Sequence, residues 1–229
     1  MNVHTLFPIT VCEFQYPNSA SVKDKLSKNI HRYIDKDGKT GELYGFVTMH
    51  HDPDYYELFC FLNKCIEEYL KVLDIDANRF DINFIKSWLN VLKDASTKHH
   101  SHGDAHLSIS YYVNTPKEQE QFIRFYHHSE YEPFFGCIRW NNNNNWNIYN
   151  AKSWQFLPKE GDVYIFPAKL SHETDHVVPR DNMNYSGMKN VNEFFDYRVT
   201  IAADVLLTYK EKMSLPLGIQ PVKNWRTFK

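Results

Sequence analysis

Apolar side chains recur at helical spacing twice in the first third of the chain. Val22, Leu26, Ile30 and Tyr33 fall on one face of a helix that starts near Ser21, and the turn formers of Asp35–Gly41 end it. Asp52-Pro53-Asp54 supplies the start signals of a second helix, in which Leu58, Leu62, Cys65, Ile66, Tyr69 and Leu73 line one face up to a stop near Asp74. A stripe of that length must be buried, and the outside of a sheet is the expected partner. From Phe80 the pattern changes. Phe80–Leu92, Leu107–Val113, Gln121–Tyr126, Val163–Phe166 and Tyr197–Ala202 are rich in β-branched and aromatic residues and read as strands. Thr115-Pro116, Gly161-Asp162 and Pro179-Arg180-Asp181-Asn182 punctuate them. The pattern predicts a mostly antiparallel β domain, sandwich or barrel. The run Asn141–Asn145 between Trp140 and Trp146 reads as a hairpin loop or short insertion, because asparagine side chains compete with a strand ladder.

Composition narrows the partners. With 229 residues, the chain can bury roughly 70% of its extended surface and needs no staple. It is expected to form a single domain, 1–229. A strand and two helices in 1–79 would pack on a core of 80–210, followed by a tail, 211–229. Lys+Arg 26 against Asp+Glu 28 leaves a formal charge of -2, so no strong field is available for non-specific nucleic-acid or membrane binding. Four cysteines without metal or redox spacing read as free thiols in a reducing compartment. No signal peptide and no long apolar run is apparent, which predicts a cytoplasmic protein with no membrane partner. Asn184-Tyr185-Ser186 fits a glycosylation acceptor, without meaning in that compartment. Eight glycines show no phosphate-cradling loop.

One compositional feature points at chemistry. Of 12 histidines, six fall between His99 and His128. Within the stretch His99-His100-Ser101-His102-Gly103-Asp104-Ala105-His106, ahead of a strand, His102 and Asp104 form a His-x-Asp pair. Side chains two apart on an extended segment share a face, so both can reach one ion. Two imidazoles and a carboxylate suit Fe(II) with open positions. The best third ligand is His172, which follows a GD turn, an apolar strand and a proline-marked exit, with His176 as a spare. The same run also fits a solvated His-rich loop or an adventitious metal binder.

The stretches SISYYVNTP, P-x-x-GDVYIFP-x-x-L-x-H and RVTIAAD, with the opening LFPIT and TVCEFQYPN, resemble the 2-oxoglutarate/Fe(II) oxygenase family over nearly the whole chain. They look most like small members from marine bacteria and their phages, and for a phage-encoded protein the compartment would be the host cytoplasm. The resemblance implies an all-β core with flanking helices, a double-stranded β-helix (jelly roll). It also implies an Fe(II) enzyme with 2-oxoglutarate as cosubstrate, coupling its decarboxylation to oxidation of a second substrate by O2, with release of succinate and CO2. By that resemblance His172 is the distal metal ligand, Arg198 grips the far carboxylate of 2-oxoglutarate, Tyr112 supports the same carboxylate, and Ser108 holds the family's serine position.

Two departures leave choices open. The family often reads His-x-His-Pro-Asn where this chain has His100-Ser101-His102-Gly103-Asp104, so the triad is either His102, Asp104 and His172 or the all-histidine set with the rival His100. Ile109 stands where the family commonly has glycine. The segment from Pro179 to Phe195 reads as a lid or a surface excursion, and Arg180 is a second candidate for an anionic group. The expected second substrate is a small molecule or a protein residue, and a homodimer is compatible with the sequence. The alternatives are a cupin-like metal protein that does not use 2-oxoglutarate, and a non-enzymatic interaction or virion module that kept the fold.

Overall fold

The structure, a computed structural model, describes Met1 and residues 8–33, 48–92, 97–116, 121–127, 151, 153–176, 191–211 and 219–228. The Asp35–Gly41 turn, the Asn141–Asn145 run with Trp140 and Trp146, the Asn184 acceptor pattern, Arg180 and most of 179–195 lie outside those residues.

Both expected helices form, as α1 (Ser19–Asn29) and α2 (Tyr56–Val72). The Asp52 carboxylate accepts from the Asp54 N–H at 2.9 Å and caps a short 3-10 turn that leads into α2. Asp74 ends α2 in the left-handed region, φ 57°, which the short polar side chain of aspartate tolerates. Eight strands follow the chain among the described residues: β1 (Cys12–Gln15), β2 (Phe80–Leu92), β3 (Leu107–Asn114), β4 (Gln121–Tyr126), β5 (Ser153–Phe156), β6 (Asp162–Pro167), β7 (His172–His176) and β8 (Arg198–Tyr209). The sequence pattern anticipates five of them. The strand expected in 1–79 is β1, while the four-residue β5 and the polar β7 escape it.

The strands form two antiparallel sheets, β1-β6-β3-β8-β2 and β5-β4-β7. Alternation along each strand of the larger sheet sends side chains to two buried faces. On one face Ile109 and Tyr111 of β3, Ile165 of β6 and Ile201 of β8 pack with Leu26 of α1 and Leu62 of α2 in one core. On the other, Tyr112, Tyr164 and Phe166 meet Ile123 and Phe125 of the smaller sheet. The order of layers is helices, large sheet, small sheet. Gly161 enters β6 at φ 91°, a conformation that favours glycine, and its N–H donates to the Tyr112 carbonyl at 2.8 Å.

The expected all-β jelly-roll core is not what forms. The fold is mixed α/β, with two small antiparallel sheets and flanking helices, and among the described residues the sheets do not close into a barrel or jelly roll. The reason is visible in the packing. Among the described residues the strands stay in two ladders of five and three with no strand shared between them, and helices cover the far face of the larger sheet. Among the described residues no helix is long and apolar enough to cross a membrane.

Candidate metal centre

The space between the two sheets holds a cavity of about 550 Å³. Its floor is set by register. Lys86, Trp88 and Asn90 of β2 lie opposite Asp204, Ala202 and Thr200 of β8. Ser108, Ser110 and Tyr112 of β3 lie on the other side of the same three β8 residues. Arg198 closes the row, and His172 and Thr174 of β7 line the cavity from the small sheet.

The histidine-rich stretch is strapped across this cavity by its backbone. His100 and His172 exchange N–H···O bonds of 3.0 and 2.9 Å, and the His102 N–H donates to the Ala168 carbonyl at 2.8 Å. His106 is accounted for structurally, because its Nδ1 accepts from the Leu207 N–H at 2.9 Å. These ties bring His100, His102 and His172 together, with one ligand nitrogen from each within 4.8 Å of the others.

The outward nitrogens define what the cluster can do. His100 Nδ1 lies 2.6 Å from the Lys98 carbonyl and His172 Nδ1 lies 2.9 Å from the Leu170 carbonyl. A carbonyl only accepts, so both Nδ1 atoms carry the proton and both Nε2 atoms keep a lone pair. His102 Nδ1 lies 2.8 Å from Asp204 Oδ2, and its Nε2 is buried with no hydrogen-bond partner among the described residues. Burial, with smaller contributions from the neighbouring histidines, pushes His172 down to about 3, and partial desolvation lowers His100 in the same direction. Imidazoles whose Nδ1 atoms are already engaged leave their Nε2 atoms available as ligands, and a three-histidine donor set fits a divalent transition metal, iron included.

Asp104 is not part of the group. Its side chain is 63% exposed, and its Oδ2 pairs with Lys86 Nζ at 2.9 Å. That lysine holds the Asp104 carboxyl below its ordinary range. Of the other expected residues, Arg198 is 3% exposed and donates from Nη2 to Thr174 Oγ1 at 2.7 Å. Its Nε and Nη1 are buried without a hydrogen-bond partner among the described residues. Tyr112 is buried beneath it, with the guanidinium carbon 5.6 Å from the ring centre. Ser108 turns its hydroxyl to Asp204 Oδ1 at 2.8 Å. A cavity of about 630 Å³ near the end of α2 is lined by none of these residues and by no histidine.

Sequence reasoning missed Asp204, Thr174 and Trp88, whose ring stacks on His102 at 5.7 Å and 19°. An acid within the mostly apolar run Val199–Leu207 was the available signal for the first. Thr174 had none.

Residues 86–182 match a family model described as "Putative 2OG-Fe(II) oxygenase". That span holds all three clustered histidines and stops short of Arg198 and Asp204. Among solved structures, a Pseudomonas putida prolyl-4-hydroxylase matches at TM-score 0.50 and 8% identity, over 86% of this chain and 92% of that one. AviO1 from Streptomyces viridochromogenes matches at TM-score 0.52 and 11% identity, over 92% and 93%. SnoN, a non-heme alpha-ketoglutarate-dependent epimerase of nogalamycin biosynthesis, matches at TM-score 0.51 and 8% identity, over 89% and 79%. No curated protein matches the chain. Fold and cluster together define a protein similar to the 2-oxoglutarate/Fe(II) oxygenases, with a three-histidine candidate metal site.

Proposed function

We propose that the protein is an Fe(II)- and 2-oxoglutarate-dependent oxygenase that hydroxylates a small molecule or a protein side chain. In this reading His100, His102 and His172 hold the metal, and Arg198 holds the far carboxylate of 2-oxoglutarate. Arg198 carries the reading. It is a cation buried in the same cavity as the histidines, with two of its nitrogens, Nε and Nη1, unpartnered among the described residues. Leaving such a group without an anion is costly, so the site is built for one. Thr174 fixes the Nη2 edge and leaves the rest of the guanidinium free for a carboxylate.

The spacing also fits. His172 and Thr174 are two residues apart on β7 and so about 7 Å apart on one face. That is comparable to a five-carbon diacid, whose four C–C bonds measure about 1.5 Å each. Bound Fe(II) would supply the O2 chemistry that turns 2-oxoglutarate into succinate and CO2 and oxidises the second substrate. The chain's own residues bind and orient. The three Nε2 atoms present a fixed face, Arg198 sets the direction of the diacid, and Tyr112 and Phe166 keep water from that end.

Anaerobic addition of 2-oxoglutarate to Fe(II)-loaded protein is expected to raise a visible charge-transfer band, and admission of air to yield succinate. Loaded protein that gives neither refutes the proposal. The all-imidazole donor set favours one second reading, a metal-dependent dioxygenase or isomerase that does not use 2-oxoglutarate. Tight metal binding with no 2-oxoglutarate binding would select it.

A further inference from the structure

We infer that Asp204 is a positioning residue for the metal centre. It supplies from behind His102 the negative charge that the three-imidazole ligand set lacks. The inference rests on the metal-site reading above and extends it to a residue outside the ligand group.

Asp204 is 0% exposed, in the middle of a cavity floor whose other charged residues, Lys86 and Arg198, are both cations. A buried carboxylate is costly unless its oxygens are satisfied, and here both are. Oδ1 accepts from Ser108 Oγ at 2.8 Å, and Oδ2 faces His102 Nδ1 at 2.8 Å. Lys86 Nζ lies 3.6 Å from Oδ2 and is itself held by Asp104 at 2.9 Å. The carboxylate is therefore aimed, and it is aimed at the back of a candidate ligand.

Two consequences follow from elementary chemistry. A carboxylate accepts a proton bond only from the Nδ1–H form of His102, so it selects the tautomer whose Nε2 lone pair points into the cluster. It also makes that imidazole a stronger donor, as carboxylate–histidine–metal arrangements do. His100 and His172 lean on neutral carbonyls and receive only the first of these effects. Among the three histidines, His102 is thus the one through which charge reaches the metal. Trp88 stacked on its ring fixes the plane in which this happens.

The test uses the full-length protein and Co(II) as probe. Asp204→Asn keeps the shape and removes the charge. It is expected to weaken Co(II) binding about 10- to 100-fold, and to change the visible Co(II) spectrum. In metal-free wild-type protein, nitrogen NMR is expected to show His102 as the Nδ1–H tautomer, and in Asp204→Asn a loss of that preference. Ser108→Ala, which frees one carboxylate oxygen, is expected to give a smaller loss of affinity.

Unchanged Co(II) affinity in folded Asp204→Asn overturns the inference while leaving the metal site standing. A wild-type His102 found as the Nε2–H tautomer overturns it even if the variant does not fold. Wild-type protein that binds no Co(II) and no Fe(II) overturns both this inference and the proposed function.

Discussion

Replacing Arg198 with methionine should move stability and ligand affinity in opposite directions. Arg198 is 3% exposed, and its Nε and Nη1 have no hydrogen-bond partner among the described residues. Burial alone pulls its pKa downward, yet a guanidinium stays charged. The uncompensated charge costs several kcal/mol in the ligand-free protein. Methionine fills similar volume without that cost. The substitution also removes the 2.7 Å bond to Thr174, a loss of about 1.5–3 kcal/mol for a charged donor. The net is a stabilisation of about 1–2 kcal/mol, or a rise in Tm of about 2–8 °C for a chain of this size. Binding moves the other way. Taking one partner from a buried charge pair costs about 3–5 kcal/mol, which at 1.4 kcal/mol per tenfold is about a hundred- to several-thousand-fold in Kd. Thermal unfolding in chelator measures the first quantity, and calorimetric titration of 2-oxoglutarate into Ni(II)-loaded protein measures the second. An Arg198→Met protein that binds 2-oxoglutarate within threefold of wild type refutes the assignment. One that is strongly destabilised shows that the guanidinium is satisfied within the fold and awaits no ligand.

Other consequences are as direct. Asp104→Asn should leave Co(II) affinity within about threefold of wild type, because the carboxylate is exposed and bound to Lys86; a loss beyond a hundredfold would restore Asp104 as a ligand. Metal-free stability should fall as pH drops. The folded-state pKa of His172, about 3, lies below the ordinary histidine value of 6.5, so the unfolded chain takes up the proton first. This contribution is complete above pH 6.5 and is lost progressively toward pH 3, and His100 adds in the same direction. Urea unfolding in chelator at pH 7.5 and 5.5 measures it, and equal stabilities would contradict the buried neutral imidazole. Leu62→Ala, at a fully buried position between α2 and the large sheet, should cost about 2–5 kcal/mol in the same assay; a cost under 1 kcal/mol would mean that the helix layer does not cover the sheet.

Periodicity located what periodicity can locate. The stripe of α2 and the runs that become β2, β3, β4 and β6 sit close to where their patterns place them. Whether sheets close is a different kind of fact. The residues of β3 and β8 are buried on both faces, and that pattern is the same whether a second sheet or a pair of helices lies behind them. The polar strand β7, His-Glu-Thr-Asp-His, was invisible because its inward face lines a polar cavity rather than an apolar core.

The ligand register turned on a single bend. Period-two logic applies equally to His100 with His102 and to His102 with Asp104. The backbone brings only the first pair to His172. His100 is paired with His172 and His102 with Ala168, which keeps that dipeptide step extended. The chain then bends at Gly103–Asp104 before β3 begins, and the face alternation ends there. Asp104 is turned out to Lys86, and the carboxylate that approaches His102 comes instead from a position 102 residues away. A two-residue spacing predicts a shared face only while the strand persists. The charge that a metal centre of this type calls for can therefore be supplied by a residue that no local motif contains.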